Sequence, residues 1–163
     1  MTVAAIAVAA LMMQAFPATA GEGCPALSRV EAEQAMRLHS ELMVIGLTCQ
    51  KYYRKPANIY GKYQEFTVEN ADFLRGAEDG LVASMGAKQF HALRTRIAND
   101  ASQRAAVMTP MAYCRTNAGF VGEVLALSSE GVRAYVRRLA EGARQQAPGC
   151  MALAKRIAVA SKK

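Results

Sequence analysis

The sequence predicts an all-α protein, a compact bundle of four to five helices that two disulfides lock together. Helix-forming residues such as alanine, leucine, methionine, arginine and glutamate dominate it, and strand-like alternation of β-branched or aromatic residues is absent. Apolar residues recur every three or four positions in several segments, and Gly86, Pro110 and Pro148-Gly149 fall at their boundaries. These patterns and the even number of cysteines, four, define the expected fold class.

The first helix is expected to begin at Ser28, because Ser28-Arg29-Val30-Glu31 has the pattern of a capping box. Its buried stripe advances in steps of three and four residues and ends in a cysteine: Ala35, Leu38, Leu42, Ile45 and Cys49. Arg54-Lys55-Pro56 should end this segment, because proline cannot continue a helix.

The second helix is expected from about Asn58 to Met85, where Gly86 ends it. Its buried stripe is predicted to be Ile59, Tyr63, Phe66, Phe73, Ala77 and Leu81. Asn70 lies in the same register, which places an amide near the core. That amide is expected either to form hydrogen bonds that fix the helix register or to be rotated toward solvent.

A third helix is expected from about Lys88 to Met108, with a buried stripe of Phe90, Leu93, Ile97 and Ala101. Thr109-Pro110 then favours a new helix, since threonine is a good N-cap and proline a good first residue. One long helix kinked at Pro110 is the alternative. The segment that ends at Leu127 is predicted to bury Cys114, Ala118, Val121 and Leu125.

The last main helix is expected to start at Ser128-Ser129 and to end at Pro148-Gly149. It should bury Val132, Val136, Leu139 and Ala143. A short tail helix from Cys150 to about Ala160 completes the prediction.

The N-terminus has the pattern of a cleavable signal peptide. Residues 1–20 carry no charge, are largely apolar and end in Ala18-Thr19-Ala20, the small-x-small pattern that signal peptidase cleaves. Cleavage after Ala20 would leave one helical domain, residues 21–163, in the periplasm or secreted. The alternative, an N-terminal membrane anchor, is disfavoured because Gln14 and Pro17 interrupt a run that is already short for a membrane span.

The cysteines of an exported protein are expected to pair. Cys24 and Cys49 flank a helix of about twenty residues, which separates them by roughly 30 Å, whereas a disulfide requires Cα atoms within about 7 Å. Two of the three possible pairings therefore remain. An up-and-down bundle brings its termini to one end, which favours Cys24–Cys150 together with Cys49–Cys114.

Three stretches resemble a group of small, exported, uncharacterised bacterial helical proteins with two or more cysteines. They are 41-ELMVIGLTC-49, 63-YQEF-66, and 97-IANDASQR-104 followed by Tyr113-Cys114. The resemblance supports pairing Cys49 with Cys114, and it implies no activity.

The sequence offers little catalytic chemistry. It has no G-x-S-x-G elbow, no glycine-rich phosphate loop and no evident pair of carboxylates for acid–base catalysis. The cysteines are tens of residues apart, and neither histidine, His39 or His91, lies on a buried stripe. We therefore expect no enzyme activity, no metal and no cofactor.

Charge and polarity suggest two kinds of contact surface. Residues 21–87 carry 7 basic and 9 acidic residues, whereas residues 88–163 carry 13 basic and 4 acidic ones. A possible anion-binding set in the basic half is Arg133, Arg137, Arg138, Arg144, Lys155 and Arg156. A possible polar contact strip is Asn99, Asp100, Ser102, Gln103 and Arg104, in which Asp100 and Arg104 have the spacing of a helix salt bridge.

Two functions remain at this stage. The favoured one is a non-catalytic interaction or accessory module that binds an envelope protein. The alternative is an electrostatic binder whose basic half holds an anionic envelope polysaccharide or lipid, with no specific nucleic-acid partner. A continuous basic patch would favour the alternative, and dispersed basic residues would favour the interaction module.

Overall fold

The computed structural model describes residues 24–53 and 58–160, apart from the side chains of 153 and 156–160. The expected signal peptide and the helix-ending residues Arg54-Lys55-Pro56 lie outside the described residues. The described part of the chain is all helical and contains no strand, which confirms the fold class. Its helices are α1 (Leu27–Cys49), α2 (Ile59–Glu69), α3 (Ala71–Met85), α4 (Ala87–Ala106), α5 (Pro110–Val124), α6 (Ser129–Gln146) and α7 (Pro148–Ala160).

These seven helices exceed the four to five that were predicted, and one additional boundary is at Asn70. Its backbone angles, φ −106° and ψ 14°, leave the helical region. The buried side chain donates from Nδ2 to the Phe66 carbonyl at 2.8 Å. The break changes the buried stripe at one position: Leu74 is buried where Phe73 was expected, and Phe73 is only partly buried. Ala77 and Leu81 are buried as predicted.

The start of α1 also differs from the prediction. Helix α1 begins at Leu27, and its N-cap Ala26 has no side-chain capping bond. Ser28 is exposed within the first turn, so the expected capping box does not form. The Glu31 carboxylate accepts instead from Nε of Arg137 at 2.7 Å, because a charge on α6 is a stronger partner than a neutral amide.

The starts of α5 and α6 agree with the sequence, whereas α7 begins at Pro148, two residues before the predicted Cys150. Thr109 accepts from the Ala112 amide and Pro110 is the first residue of α5, so the chain restarts rather than continuing as one kinked helix. Ser128 caps α6 in the same way through the Gly131 amide. Gly86 joins α3 to α4 with φ 83°, a conformation that glycine adopts without steric cost.

The predicted stripes of α1 and α4 are buried at every position. The stripe of α5 is displaced: Tyr113 and Val124 are buried, Ala118 is exposed and Leu125 is only partly buried. Tyr113 is drawn inward because its hydroxyl reaches the carboxylate of Glu41 on α1.

The stripe of α6 is displaced in the same manner. Val132 and Val136 are buried as expected, but Ala140 is fully buried while Leu139 is 39% exposed. Ala143 is only partly buried.

Helix α1 is the central element, against which α2 to α6 all pack. Helix α6 runs antiparallel to it, since Arg137 of α6 reaches Glu31 and Arg144, further along α6, reaches the carbonyl of Pro25. Helices α3 and α4 form a hairpin around Gly86, which an ion pair between Glu78 and Arg94 bridges.

The two disulfides connect opposite ends of α1 to distant parts of the chain. Cys24 pairs with Cys150, with Cα atoms 4.4 Å apart, and Cys49 pairs with Cys114, with Cα atoms 5.5 Å apart. This is the pairing that the bundle topology favours. Cys49 and Cys114 are buried in the core, whereas Cys24 and Cys150 are partly exposed.

Candidate functional site

A polar network joins α1, α4 and α5 around Glu41. One Glu41 carboxylate oxygen forms an ion pair with Arg104, and the other accepts from the Tyr113 hydroxyl at 3.4 Å. Tyr113 is only 2% exposed. Burial, followed by the negative charge of Glu41, raises the pKa of Tyr113 to about 12. The hydrogen bond to Glu41 raises the pKa of Arg104 as well.

This network connects residues from two of the three stretches that carry the resemblance. Glu41 begins the first stretch, Arg104 ends the polar one, and Tyr113 precedes Cys114. Arg104 makes its ion pair with Glu41 and not with Asp100, so the expected helix salt bridge is replaced by a contact between helices. The other members of the polar strip, Asn99, Asp100, Ser102 and Gln103, are exposed on α4.

The Y-x-x-F stretch contributes a second polar contact, between α1 and α2. His39 Nε2 lies 3.1 Å from the Tyr63 hydroxyl and 3.4 Å from the Thr67 hydroxyl. Burial lowers the pKa of His39, because the imidazolium loses hydration. Gly46 lies against the same side chain, since a Cβ there would lie 3.4 Å from Cβ of Tyr63, an ordinary van der Waals contact.

The basic residues of α6 are each engaged within the fold. Arg133 lies over the Phe73 ring at 4.8 Å, and Arg138 lies over the Tyr135 ring at 5.6 Å. Arg137 pairs with Glu31, and Nε of Arg144 donates to the Pro25 carbonyl at 3.0 Å. The contacts of Arg133, Arg137 and Arg144 hold α6 against α3, α1 and the segment before α1. Lys155 is exposed on α7, and the side chain of Arg156 is outside the described part.

An arginine cleft that the sequence analysis did not single out lies between α1 and the α3–α4 hairpin. We use the name arginine cleft for this open groove of about 660 Å³, whose walls include Arg29, Glu33, Arg37, Gln89, Leu93 and Arg96. Arg29, Glu33 and Arg37 are spaced four residues apart on one face of α1. The spacing of these three charged residues is visible in the sequence. Arg96, however, lies on α4, 59 residues after Arg37, and the sequence alone does not place it beside them.

Most of the exposed large apolar side chains lie close in sequence to the Cys49–Cys114 bridge. Eight large apolar side chains are exposed in the described residues, and five of these lie within seven residues of Cys49 or Cys114. The five are Leu47, Tyr52, Val107, Met108 and Met111. We call this surface the apolar end. Of the neighbouring tyrosines, Tyr53 is partly buried, and its hydroxyl lies 3.4 Å from the Cys114 carbonyl as a donor.

In the described ranges, 24–53 and 58–160, no three His, Cys, Asp or Glu side chains come together as a metal site would require. No helix in these ranges is long and apolar enough to span a membrane. Comparisons of the chain with protein-family models, curated proteins and solved structures give no match.

Proposed function

We propose that this protein is an exported, non-catalytic interaction module that binds another protein of the cell envelope through its apolar end. The observation that carries the proposal is the concentration of exposed apolar side chains beside the Cys49–Cys114 bridge. Several large apolar side chains exposed in one region of a protein commonly mark a binding surface, because leaving them in water is unfavourable. The two disulfides support an oxidising destination, either the periplasm or the outside of the cell.

The apolar end is held in place by the fold. Val107 and Met108 form the corner between α4 and α5, and Val107 is 79% exposed. Thr109 caps α5 and Pro110 restricts its first turn. The disulfide joins Cys114, one turn later, to the end of α1. A surface fixed in this way loses little conformational entropy on binding, which favours affinity.

The charges beside the apolar end indicate the chemistry of the partner. Arg115 is exposed one turn after Met111 on α5, and Lys51 is exposed just after α1. A partner surface with an apolar recess and an acidic rim would complement this arrangement. The methionines suit such a contact, because their flexible side chains adapt to irregular surfaces.

Site-specific photo-crosslinking in intact cells tests the proposal. A crosslinking side chain at position 111 should attach to one protein, identified by mass spectrometry. The same side chain at position 68 should not, although Val68 is also exposed. The double variant Val107→Ser/Met111→Ser should weaken retention of that partner in a high-salt wash, whereas Val68→Ser should not.

Equal crosslinking from positions 68 and 111, or none from position 111, would contradict the proposal. A crosslinked product with twice the mass of the chain would show that the partner is a second copy of this chain rather than another envelope protein. Light scattering of the purified protein would then show a dimer that Val107→Ser/Met111→Ser dissociates.

Binding of an anionic polysaccharide or lipid by the basic half is the second candidate. The observation in its favour is that Arg133, Arg137 and Arg138 remain largely exposed to solvent. Their separate contacts with Phe73 and other groups favour a role in holding α6, which places this candidate second. It predicts binding to envelope polymer that decreases steeply with salt and is lost in Arg133→Gln/Arg138→Gln.

A further inference from the structure

The arginine cleft has an excess of positive charge. Arg29, Arg37 and Arg96 contribute three guanidinium groups, and Glu33 contributes the opposing carboxylate. Glu33 pairs with Arg29 at 3.4 Å. Within the described residues, Arg37 and Arg96 have no ion-pair partner. The cleft therefore retains an excess of two positive charges from two different helices.

The remaining walls of the cleft supply neutral donors and an apolar floor. Gln89, in the first turn of α4, supplies amide donors, and Leu93 is buried. The Ser84 hydroxyl also lines the cleft, but it donates to the Leu81 carbonyl at 3.0 Å.

We propose that the arginine cleft binds a dianionic phosphate group. The guanidinium group has planar, paired donors that match two oxygens of a phosphate at once. A phosphate monoester carries close to two negative charges near neutral pH, which matches the excess charge of the cleft, whereas a single carboxylate would neutralise only half of it. The phosphate belongs either to a soluble molecule or to a lipid headgroup.

This site is separate from the apolar end. Arg29 and Arg37 lie in the first two-thirds of α1, before Glu41, whereas the apolar end begins at Leu47. The phosphate site does not depend on the proposed protein partner. The variant Val107→Ser/Met111→Ser should therefore retain phosphate binding.

Calorimetric titration of the purified protein with inorganic phosphate and with glycerol phosphate measures the binding. Sedimentation with phosphatidylcholine vesicles that contain phosphatidic acid tests the lipid source. Arg37→Gln and Arg96→Gln should each weaken phosphate binding by at least about tenfold, because each removes charge-assisted hydrogen bonds to the phosphate. Arg75→Gln is the matched control, because it removes one exposed arginine of α3 outside the cleft.

Saturable phosphate binding that Arg37→Gln weakens and Arg75→Gln preserves would support the site. Parallel loss of vesicle binding in Arg37→Gln would identify a lipid headgroup, and phosphate binding without vesicle binding would identify a soluble ligand. The proposal is wrong if no phosphate binds saturably or if Arg75→Gln weakens binding as much as Arg37→Gln. Vesicle binding alone, equal in wild type and Arg37→Gln, would also overturn it. Melting temperatures verify that each variant is folded. If one of the variants Arg37→Gln and Arg96→Gln does not fold, the other tests the proposal.

Discussion

At the scale of single residues, Glu41 links two distant parts of the sequence to α1. Its carboxylate holds Arg104 of α4 and Tyr113 of α5, residues 63 and 72 positions away. The Arg104 side chain is largely exposed, so its ion pair contributes little to stability. Tyr113 is buried, and its state of ionisation reports directly on this contact.

Tyr113 should make stability depend on alkaline pH. Its pKa in the folded protein is about 12, whereas tyrosine in an unfolded chain ionises near 10. Its contribution is therefore complete below about pH 10 and is lost as the pH rises through about 12, because the folded state holds the proton more tightly. Urea denaturation over this range should show a smaller loss for Tyr113→Phe than for wild type.

Ultraviolet titration of the phenolates provides an independent check of Tyr113. Tyr113→Phe should remove a transition with a midpoint near 12 from the folded protein. Glu41→Gln should lower that midpoint, because it removes the nearby negative charge but not the burial. Loss of a transition near 10 in Tyr113→Phe would contradict the buried position.

His39 should make stability depend on acidic pH, and its contribution should be lost as the pH falls. Burial lowers its pKa in the folded protein below the ordinary value of 6.5. Its contribution to stability is complete above about pH 6.5 and is lost as the pH falls below that value toward the folded pKa, because the unfolded chain takes up the proton more readily. A proton NMR titration should place the His39 midpoint below 6.5, and His39→Gln identifies the signal. A midpoint at or above 6.5 would contradict this expectation.

At the scale of elements, Asn70 separates α2 from α3 inside the core. Its Nδ2 donates to Phe66, but Oδ1 has no partner in the described part of the structure. The position therefore accepts a neutral amide and offers nothing to stabilise a negative charge.

Asn70→Asp should lower the free energy of unfolding by at least about 3 kcal/mol. The change keeps the shape but buries an unpaired carboxylate and places it against the Phe66 carbonyl. Asn99→Asp makes the same replacement at an exposed position of α4 and should change stability by less than about 0.5 kcal/mol. Urea denaturation at neutral pH compares the two, and similar losses would show that Asn70 is not confined as described.

Long periodic patterns were predictable, and single contacts between helices were not. The stripes of α1 and α4 agree with the structure because many residues share one period, so one deviation matters little. At Asn70 the stripe continues in the sequence although the backbone breaks, so periodicity concealed the boundary. The predicted start of α5 agrees with the structure, because the Thr109 side chain caps the helix locally.

The candidate sites show the same limit. The apolar end could be foreseen only in part, because an exposed Val107 and a buried Val124 look alike in sequence. The partner of Arg104 was predicted four residues away but is found on another helix, at Glu41. The arginine cleft requires α1 and α4 to lie side by side, which no local pattern specifies.

At the scale of the whole molecule, the disulfides close loops of very different length. The cysteines are 126 residues apart in Cys24–Cys150 and 65 apart in Cys49–Cys114. Loop-closure entropy alone gives about 5 kcal/mol for the longer loop and about 4 kcal/mol for the shorter one. The bridge that closes the shorter loop is the more buried one. Cys49 and Cys114 are at most 2% exposed, whereas Cys24 and Cys150 are partly exposed.

Removal of the inner bridge should therefore destabilise the protein more than removal of the outer one. Cys49→Ala/Cys114→Ala loses the cross-link and also leaves cavities in the core, whereas Cys24→Ala/Cys150→Ala loses mainly the cross-link. Urea denaturation of both double variants measures the difference. A larger loss for Cys24→Ala/Cys150→Ala would show that loop length outweighs core packing.

The nesting of the two loops also determines how the protein responds to cleavage of its backbone. Because residues 49–114 lie wholly inside residues 24–150, one cut between 24 and 150 leaves both pieces covalently joined. A cut between 49 and 114 leaves them joined twice. A single proteolytic nick between Cys24 and Cys150 therefore releases no fragment, and the apolar end and the arginine cleft remain on one molecule until a second cut is made or the disulfides are reduced.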